Sequence, residues 1–159
     1  MEVINSLSPV EALTNYVYVA PEDNFSPYVK IDKFVYRCCP HNDIAPGHIA
    51  MNYLHRLMSN VFCGDKVDVA NFYIPMCNFT LKSVTLCASW FCDAFTDPPE
   101  LCELANMFRT KYEGHVLTRG QILSIMYGSK CVFLVVKTHG GGLVSMQTEI
   151  GVEWSKELM

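Results

Sequence analysis

Residues 34–51 read Phe-Val-Tyr-Arg-Cys-Cys-Pro-His-Asn-Asp-Ile-Ala-Pro-Gly-His-Ile-Ala-Met. Phe34 to Cys38 is aromatic and β-branched, the composition of a strand. Pro40-His41-Asn42-Asp43 is turn chemistry, and Ala45-Pro46-Gly47 turns again into the short apolar segment that ends at Met51. From Asn52 the period changes. Leu54, Leu57 and Met58 recur at i, i+3 and i+4, with Asn52 placed to cap a short helix that stops before Cys63-Gly64-Asp65.

Outward from that stretch, many short strands and one further helix are expected. The first thirteen residues are mixed in character and read as partly mobile. Tyr16-Val17-Tyr18-Val19 is a strand, and the segment Pro21 to Pro27 breaks it. Tyr28 to Ile31 pairs with Phe34 to Cys38 as a hairpin. Lys66 to Phe72 alternates through Val67 and Val69, and Phe79 to Trp90 alternates less cleanly. Asp97-Pro98-Pro99-Glu100 marks a helix start, with Asp97 as cap and proline in the first turn. Leu101, Leu104, Ala105 and Phe108 form its apolar stripe, so a helix is placed around residues 98–110, ending before Gly114. Strands follow at Gln121 to Tyr127 and Lys130 to Lys137, joined by the two-residue turn Gly128-Ser129. Gly140-Gly141-Gly142 reads as a flexible connection, and Met146 to Trp154 as the last strand. Both halves share one order: helix, linker, Gly plus a polar residue (Gly64-Asp65, Gly120-Gln121), alternating strand. The expectation is a mainly β, α+β chain of two compact subdomains, residues 1–84 and 85–159.

Half of the 159 residues are hydrophobic and 18% are charged, which excludes a disordered chain. A net charge of −4 disfavours sequence-independent nucleic-acid binding, where Lys and Arg must displace counterions. The N-terminus lacks the basic region of an export signal, and no apolar run approaches the roughly 20 residues that a bilayer requires. The chain therefore reads as cytosolic. Its modest charge content hints at surface meant for a partner.

Chemistry is sparse in the sequence. Eight cysteines include no CxxC, so zinc-ribbon spacing is absent. Cys77, Cys87 and Cys131 sit in strand-like apolar runs, and the set reads as reduced, mostly buried thiols without metal or cofactor. No phosphate-binding loop, GxSxG or HExxH motif is present. His41, His48 and His55 are spaced by seven, but Pro40 and Pro46 prevent one helix from carrying all three, and they read as independent turn and surface residues. Cys39 lies two residues from His41, the one arrangement that suggests an activated thiol. It supports an alternative reading, a stand-alone β-barrel protein with a cysteine-based or small-ligand site. Asp93, Asp97 and Glu100 form an acidic cluster read as helix capping. The basic residues His55, Arg56, Lys82, Arg109, Lys111 and Arg119 are scattered over both halves. They are either an ordinary solvated face or a set converging on a groove that meets an acidic partner.

Several of these segments together resemble one family. The run from Phe34 to Met51, with its Pro-Gly-x-Ile-Ala, is similar to the N-terminal domain of the vesicle-fusing ATPases, the N-ethylmaleimide-sensitive factor family. Asn15-Tyr-Val-Tyr-Val, Cys63-Gly-Asp-Lys-Val, Ala105-Asn-Met-Phe, Leu117-Thr-Arg-Gly-Gln-Ile-Leu and Phe133-Leu-Val-Val-Lys resemble further segments of it in the same order, over about residues 13–154. The resemblance implies a double-psi β-barrel followed by a smaller α/β-roll subdomain. It also implies a non-catalytic module set ahead of hexameric ATPase modules, in the cytoplasm and associated with membranes through adaptors. Such a module grips a SNAP-type adaptor and, through it, SNARE complexes. Arg56 falls at one of the family's basic contact positions. A basic pair expected near residues 90–92 is replaced by Trp90, Phe91 and Cys92, so an aromatic patch stands where charge is the family's pattern. A related implication is the ubiquitin-handling ATPase whose N-domain uses a similar barrel pair and ubiquitin-pathway adaptors. The chain ends where such a domain would end.

Overall fold

The computed structural model describes residues 1–92, 97–138 and 140–156. The chain divides into two compact units, Met1–Ile74 and Pro75–Met159.

In the first unit, alternating strands build a six-stranded mixed sheet. Its strands are β1 (Glu2–Ile4), β2 (Tyr16–Val19), β3 (Tyr28–Ile31), β4 (Phe34–Pro40), β5 (His48–Ala50) and β6 (Ala70–Asn71), in the order β1-β5-β2-β4-β3-β6. β2 lies parallel to β4, and β3 antiparallel to β4, as a tight hairpin requires. One side of these strands supplies the core: Val17, Val19, Val29, Ile31, Phe34 and Tyr36, closed by Ile49 and Met51. A short helix α1 (Pro9–Ala12), capped by Ser8, and the seven-residue helix α2 (Tyr53–Ser59) complete the unit.

The first thirteen residues are thus ordered into a strand and a helix, against the expectation of mobility. The reason is hydrogen bonding that local periodicity does not reveal. The Val3 N–H donates to the Asp65 carbonyl (2.8 Å), Gly64 N–H donates back to Val3 (2.8 Å), and Val67 N–H donates to Met1 (2.8 Å). The edge strand β1 is therefore bonded to the segment that runs into the opposite edge strand β6, which curls the sheet. Gly64 adopts φ +95° at that turn, a conformation costly to a residue with a Cβ. Of the strand expected over Lys66 to Phe72, only Ala70–Asn71 forms a ladder.

The second unit is built on β7 (Ser83–Trp90), helix α3 (Leu101–Tyr112), β8 (Val116–Leu117), β9 (Ile122–Tyr127), β10 (Lys130–Val136), β11 (Gly142–Leu143) and β12 (Glu149–Trp154). Its four-stranded sheet runs β12-β7-β10-β9, with β12 parallel to β7 and the other pairs antiparallel. β7 crosses residue 84 but pairs only within this unit, so the structural division falls at 74/75. Leu104, Phe108 and Tyr112 of α3 are buried in a core with Leu86, Ala88, Leu123, Ile125 and Leu134. Asp97 does not cap this helix. Residues before proline are driven to extended backbone, and with Pro98 and Pro99 in succession the helix begins only after Glu100.

The glycine run is not a free connection. Gly142 pairs with Leu117 in the β11–β8 ladder, and a Cβ there would lie 2.5 Å from the Phe79 carbonyl oxygen. The cysteines are also less buried than expected. Cys63, Cys77, Cys92 and Cys102 are exposed and the other four are half-buried. Cys77 precedes β7 rather than lying in a strand, so nothing packs over it.

Two measurements check this packing. Gly142→Ala is expected to cost about 1–3 kcal/mol in denaturant unfolding, because a backbone oxygen must move. Gly151→Ala, whose new methyl meets nothing closer than 3.8 Å, should change stability by under about 0.5 kcal/mol. Equal midpoints for the two variants would refute the β11 packing. Burial pushes the Cys38 thiol up to about 11 from 9.0, so it holds its proton in the fold at pH values where the unfolded chain loses it. Stability then falls as pH rises from about 9 towards 11. In timed alkylation at pH 8 read by mass spectrometry, Cys63, Cys77, Cys92 and Cys102 should be modified before Cys38. Early labelling of Cys38 would contradict the structure.

Candidate functional site

Asn52 begins the site on the first unit. Its side-chain oxygen accepts the His55 N–H (2.9 Å), capping α2, while its Nδ2 donates to the Thr14 carbonyl (2.7 Å). His55 is 1% exposed. Its Nε2 lies 3.1 Å from Asn15 Oδ1, and its ring is 4.5 Å from that of Tyr36. The histidine expected at a partner surface is instead an internal tie between helix and sheet. The buried face of α2 is Leu54, His55 and Met58. Leu57, expected in that stripe, is left on the outer side.

The outer side consequently gathers apolar surface around a cation. Tyr53, Arg56, Leu57, Val61 and Phe62 line an open cleft of about 260 Å³, and Phe62 is 73% exposed. Arg56 is oriented from below: its Nη1 donates to the Met51 carbonyl (2.6 Å) and to Asn5 Oδ1 (2.8 Å). Those two bonds use one nitrogen of the guanidinium and hold the rest beside the aromatic rim. Tyr53 and Phe62 were not singled out by sequence reasoning, and Leu57 was read only as part of the buried stripe. The available signal was the length of α2, since two turns cannot bury Leu54, Leu57 and Met58 together with His55.

In the second unit, most of the expected site residues have internal work. Lys111 Nζ donates to the Ser124 carbonyl (2.9 Å), where Tyr112 also donates its hydroxyl (2.6 Å), and burial lowers the lysine pKa. Arg109 donates from Nη2 to the Thr148 carbonyl (3.2 Å) and from Nη1 to Asn106 (3.3 Å). Trp90 is buried, its ring 5.3 Å from Trp154, and its indole N–H donates to the Asp97 carbonyl (3.3 Å). These three fasten α3 and the loop before it to the sheet. Lys82 is exposed beside Ser145, Gln147 and Glu149. Phe91 is 49% exposed, its ring 4.7 Å from Phe133, on a cleft of about 330 Å³ shared with Met126, Lys130 and Cys131. Of the acidic cluster, Asp93 lies outside the described residues.

The arrangement of Cys39 and His41 does not activate a thiol. His41 Nε2 is 3.0 Å from Glu11 Oε1, and its Nδ1 accepts the Asp43 N–H (3.1 Å). Cys39 Sγ points to the Pro40 carbonyl (3.6 Å). Both imidazole nitrogens are engaged elsewhere, so the alternative cysteine chemistry lacks its base. No helix among the described residues is long and apolar enough to cross a membrane.

No family model matches the chain. Vesicle-fusing ATPase of Arabidopsis thaliana is 31% identical to it over 146 residues, 86% of this chain. The chain spans about a fifth of that protein's length (20%), a share consistent with a non-catalytic domain of a larger ATPase. The chain is accordingly a relative of the vesicle-fusing ATPases, consistent in extent and motif order with their N-terminal domain.

Proposed function

We propose that this chain is a protein-binding module of a vesicle-fusing ATPase, one that captures a SNAP-type adaptor and, through it, SNARE complexes for disassembly. The chemistry of ATP hydrolysis then belongs to modules outside this chain, hexameric by the family's pattern. The module works in the cytoplasm and reaches membranes only through its adaptor. In fold terms the reading takes Met1–Ile74 as a double-psi β-barrel and the second unit as an α/β roll. The curled mixed sheet of the first unit and the helix laid on a sheet in the second support it.

The observation that carries this reading is the cleft on α2. It places Arg56, the position the family resemblance marks as a basic contact, among exposed Tyr53, Leu57 and Phe62. Aromatic anchors beside an arginine are the composition of an interface hot spot. An acidic adaptor residue would pair with the guanidinium while an apolar neighbour enters the cleft. Lys82 and Phe91 are the second unit's proposed contributions, because their side chains are exposed. His55, Trp90, Arg109 and Lys111 act indirectly, by holding the helices that carry the surface.

The test is capture of purified adaptor by the chain. Arg56→Glu should weaken binding by about 2 kcal/mol, roughly 30-fold, and Phe62→Ala by at least about 1 kcal/mol. Phe62→Ala should keep the wild-type melting temperature, whereas Arg56→Glu, which forfeits the bonds to Met51 and Asn5, should melt somewhat earlier yet stay folded at the assay temperature. Undiminished capture by Arg56→Glu would sink the reading, and capture of a ubiquitin-pathway adaptor in place of the SNAP type would move the chain to the related ATPase. The pure chain should show no ATP turnover; measurable hydrolysis would reject its assignment as a binding module.

A further inference from the structure

Strand β4 has two sides. Phe34, Tyr36 and Cys38 face the core with α2, whereas Val35, Arg37 and Cys39 face the other way. The register places Arg37 directly opposite Tyr16 on β2 and directly opposite Tyr28 on β3. The guanidinium carbon lies 5.3 Å from the Tyr16 ring centroid and 5.9 Å from that of Tyr28. Both rings are within cation–π range. Arg37 makes no hydrogen bond or ion pair with the described residues, in contrast to Arg56 and Arg109, whose donors reach protein oxygens. Its donors therefore remain available although ring contacts on two neighbouring strands already restrain its position.

We propose that Arg37, flanked by Tyr16 and Tyr28 on the side of the sheet opposite α2, is a recognition site for the carboxylates of an acidic protein segment. A guanidinium offers a planar fork of N–H donors that matches a carboxylate in two-point contact. Restraint by the flanking rings lowers the side-chain entropy that such a contact would otherwise forfeit. Lys30, exposed on the same side of β3, sits opposite Val35, two residues along β4 from Arg37, and adds a second positive charge for the next acidic residue. The carboxylate found further along this side, Glu11 beyond Tyr18, is already held by His41 at 3.0 Å. A nucleic-acid strand fits poorly: two cations on a chain of net charge −4 make a weak phosphate track, and the tyrosines that would stack bases already flank Arg37. The inference goes beyond the adaptor reading, since it concerns the other side of the sheet.

The probe is a fluorescent oligo-glutamate peptide titrated against the whole chain by anisotropy, with oligo-glutamine of equal length as the neutral control. The wild type should bind the acidic peptide and not the neutral one. Arg37→Gln should lower that affinity about tenfold or more, and Arg37→Lys, which keeps the charge but loses the fork, should lower it several-fold. Lys137→Gln, which removes an exposed cation of the second unit outside both proposed sites, should bind oligo-glutamate like the wild type. Should the Arg37 variants melt early, the wild type still decides the matter: the Arg37 side-chain N–H signals in NMR should shift as peptide is added. Unchanged affinity in Arg37→Gln, unshifted Arg37 signals while peptide binds, or an equal loss in Lys137→Gln would each overturn the site and leave the adaptor reading standing. Tighter binding of a phosphoserine peptide through the same residue would overturn the carboxylate assignment.

Discussion

A helix of seven residues does not hold its shape in water, because nucleation costs more than two turns return. The surface of the first unit nevertheless depends on α2 keeping a fixed rotation. What fixes it is a buried polar contact, His55 Nε2 to Asn15 Oδ1, together with Asn52, which caps the helix with its oxygen and binds the Thr14 carbonyl with its nitrogen. The two asparagines and the histidine are all nearly inaccessible to solvent. In that setting an unmade hydrogen bond costs about 1–3 kcal/mol, so rotations of the helix that break these bonds are disfavoured more strongly than apolar packing alone would achieve. The exposure of Tyr53 and Leu57, with Arg56 half-buried between them, follows from that choice of buried face.

The second unit solves the same problem with different groups. The Ser124 carbonyl on β9 accepts both the Tyr112 hydroxyl and the Lys111 ammonium, and Arg109 reaches the Thr148 carbonyl ahead of β12. The C-terminal half of α3 is thereby tied to two places around its sheet. Lysine and arginine in the last turn of a helix also meet the negative end of its dipole. Cations that a linear reading assigns to a partner are consumed by the fold itself. Lys82, which precedes β7, stays exposed.

How much could be read from sequence alone follows from these contacts. The strands Tyr16–Val19, Tyr28–Ile31, Ile122–Tyr127 and Lys130–Val136, the helix cap at Asn52 and the hairpin turn Gly128-Ser129 lie within short windows, and residues a few positions apart determine them. The order of family-like segments was likewise readable, and the 31% identity to a vesicle-fusing ATPase matches it. The strand Glu2–Ile4 was not readable, because its partners are His48–Ala50, 46 residues away, and the segment 64–67, more than 60 residues away. The role of Gly142 was hidden for the same reason, since Phe79 and Leu117 decide it. Site residues were the least readable. Charge shows in a sequence, but whether Lys111 meets solvent or the Ser124 carbonyl depends on a strand residue thirteen positions on.

β4 shows how one strand can support two kinds of surface. Tyr36 on its core side packs against His55 and so helps to set the rotation of α2. The next residue, Arg37, must point away from that core because side chains alternate along a strand. On the outer side it meets Tyr16 and Tyr28 only because β2 and β3 flank β4 with the registers they have. A shift of either neighbour by one residue would turn its tyrosine inward and place a core valine, Val17 or Val29, opposite the guanidinium. The burial of those valines therefore sets the register that builds the Tyr16–Arg37–Tyr28 rung, and the apolar core determines the geometry of the most polar feature on the other side of the sheet.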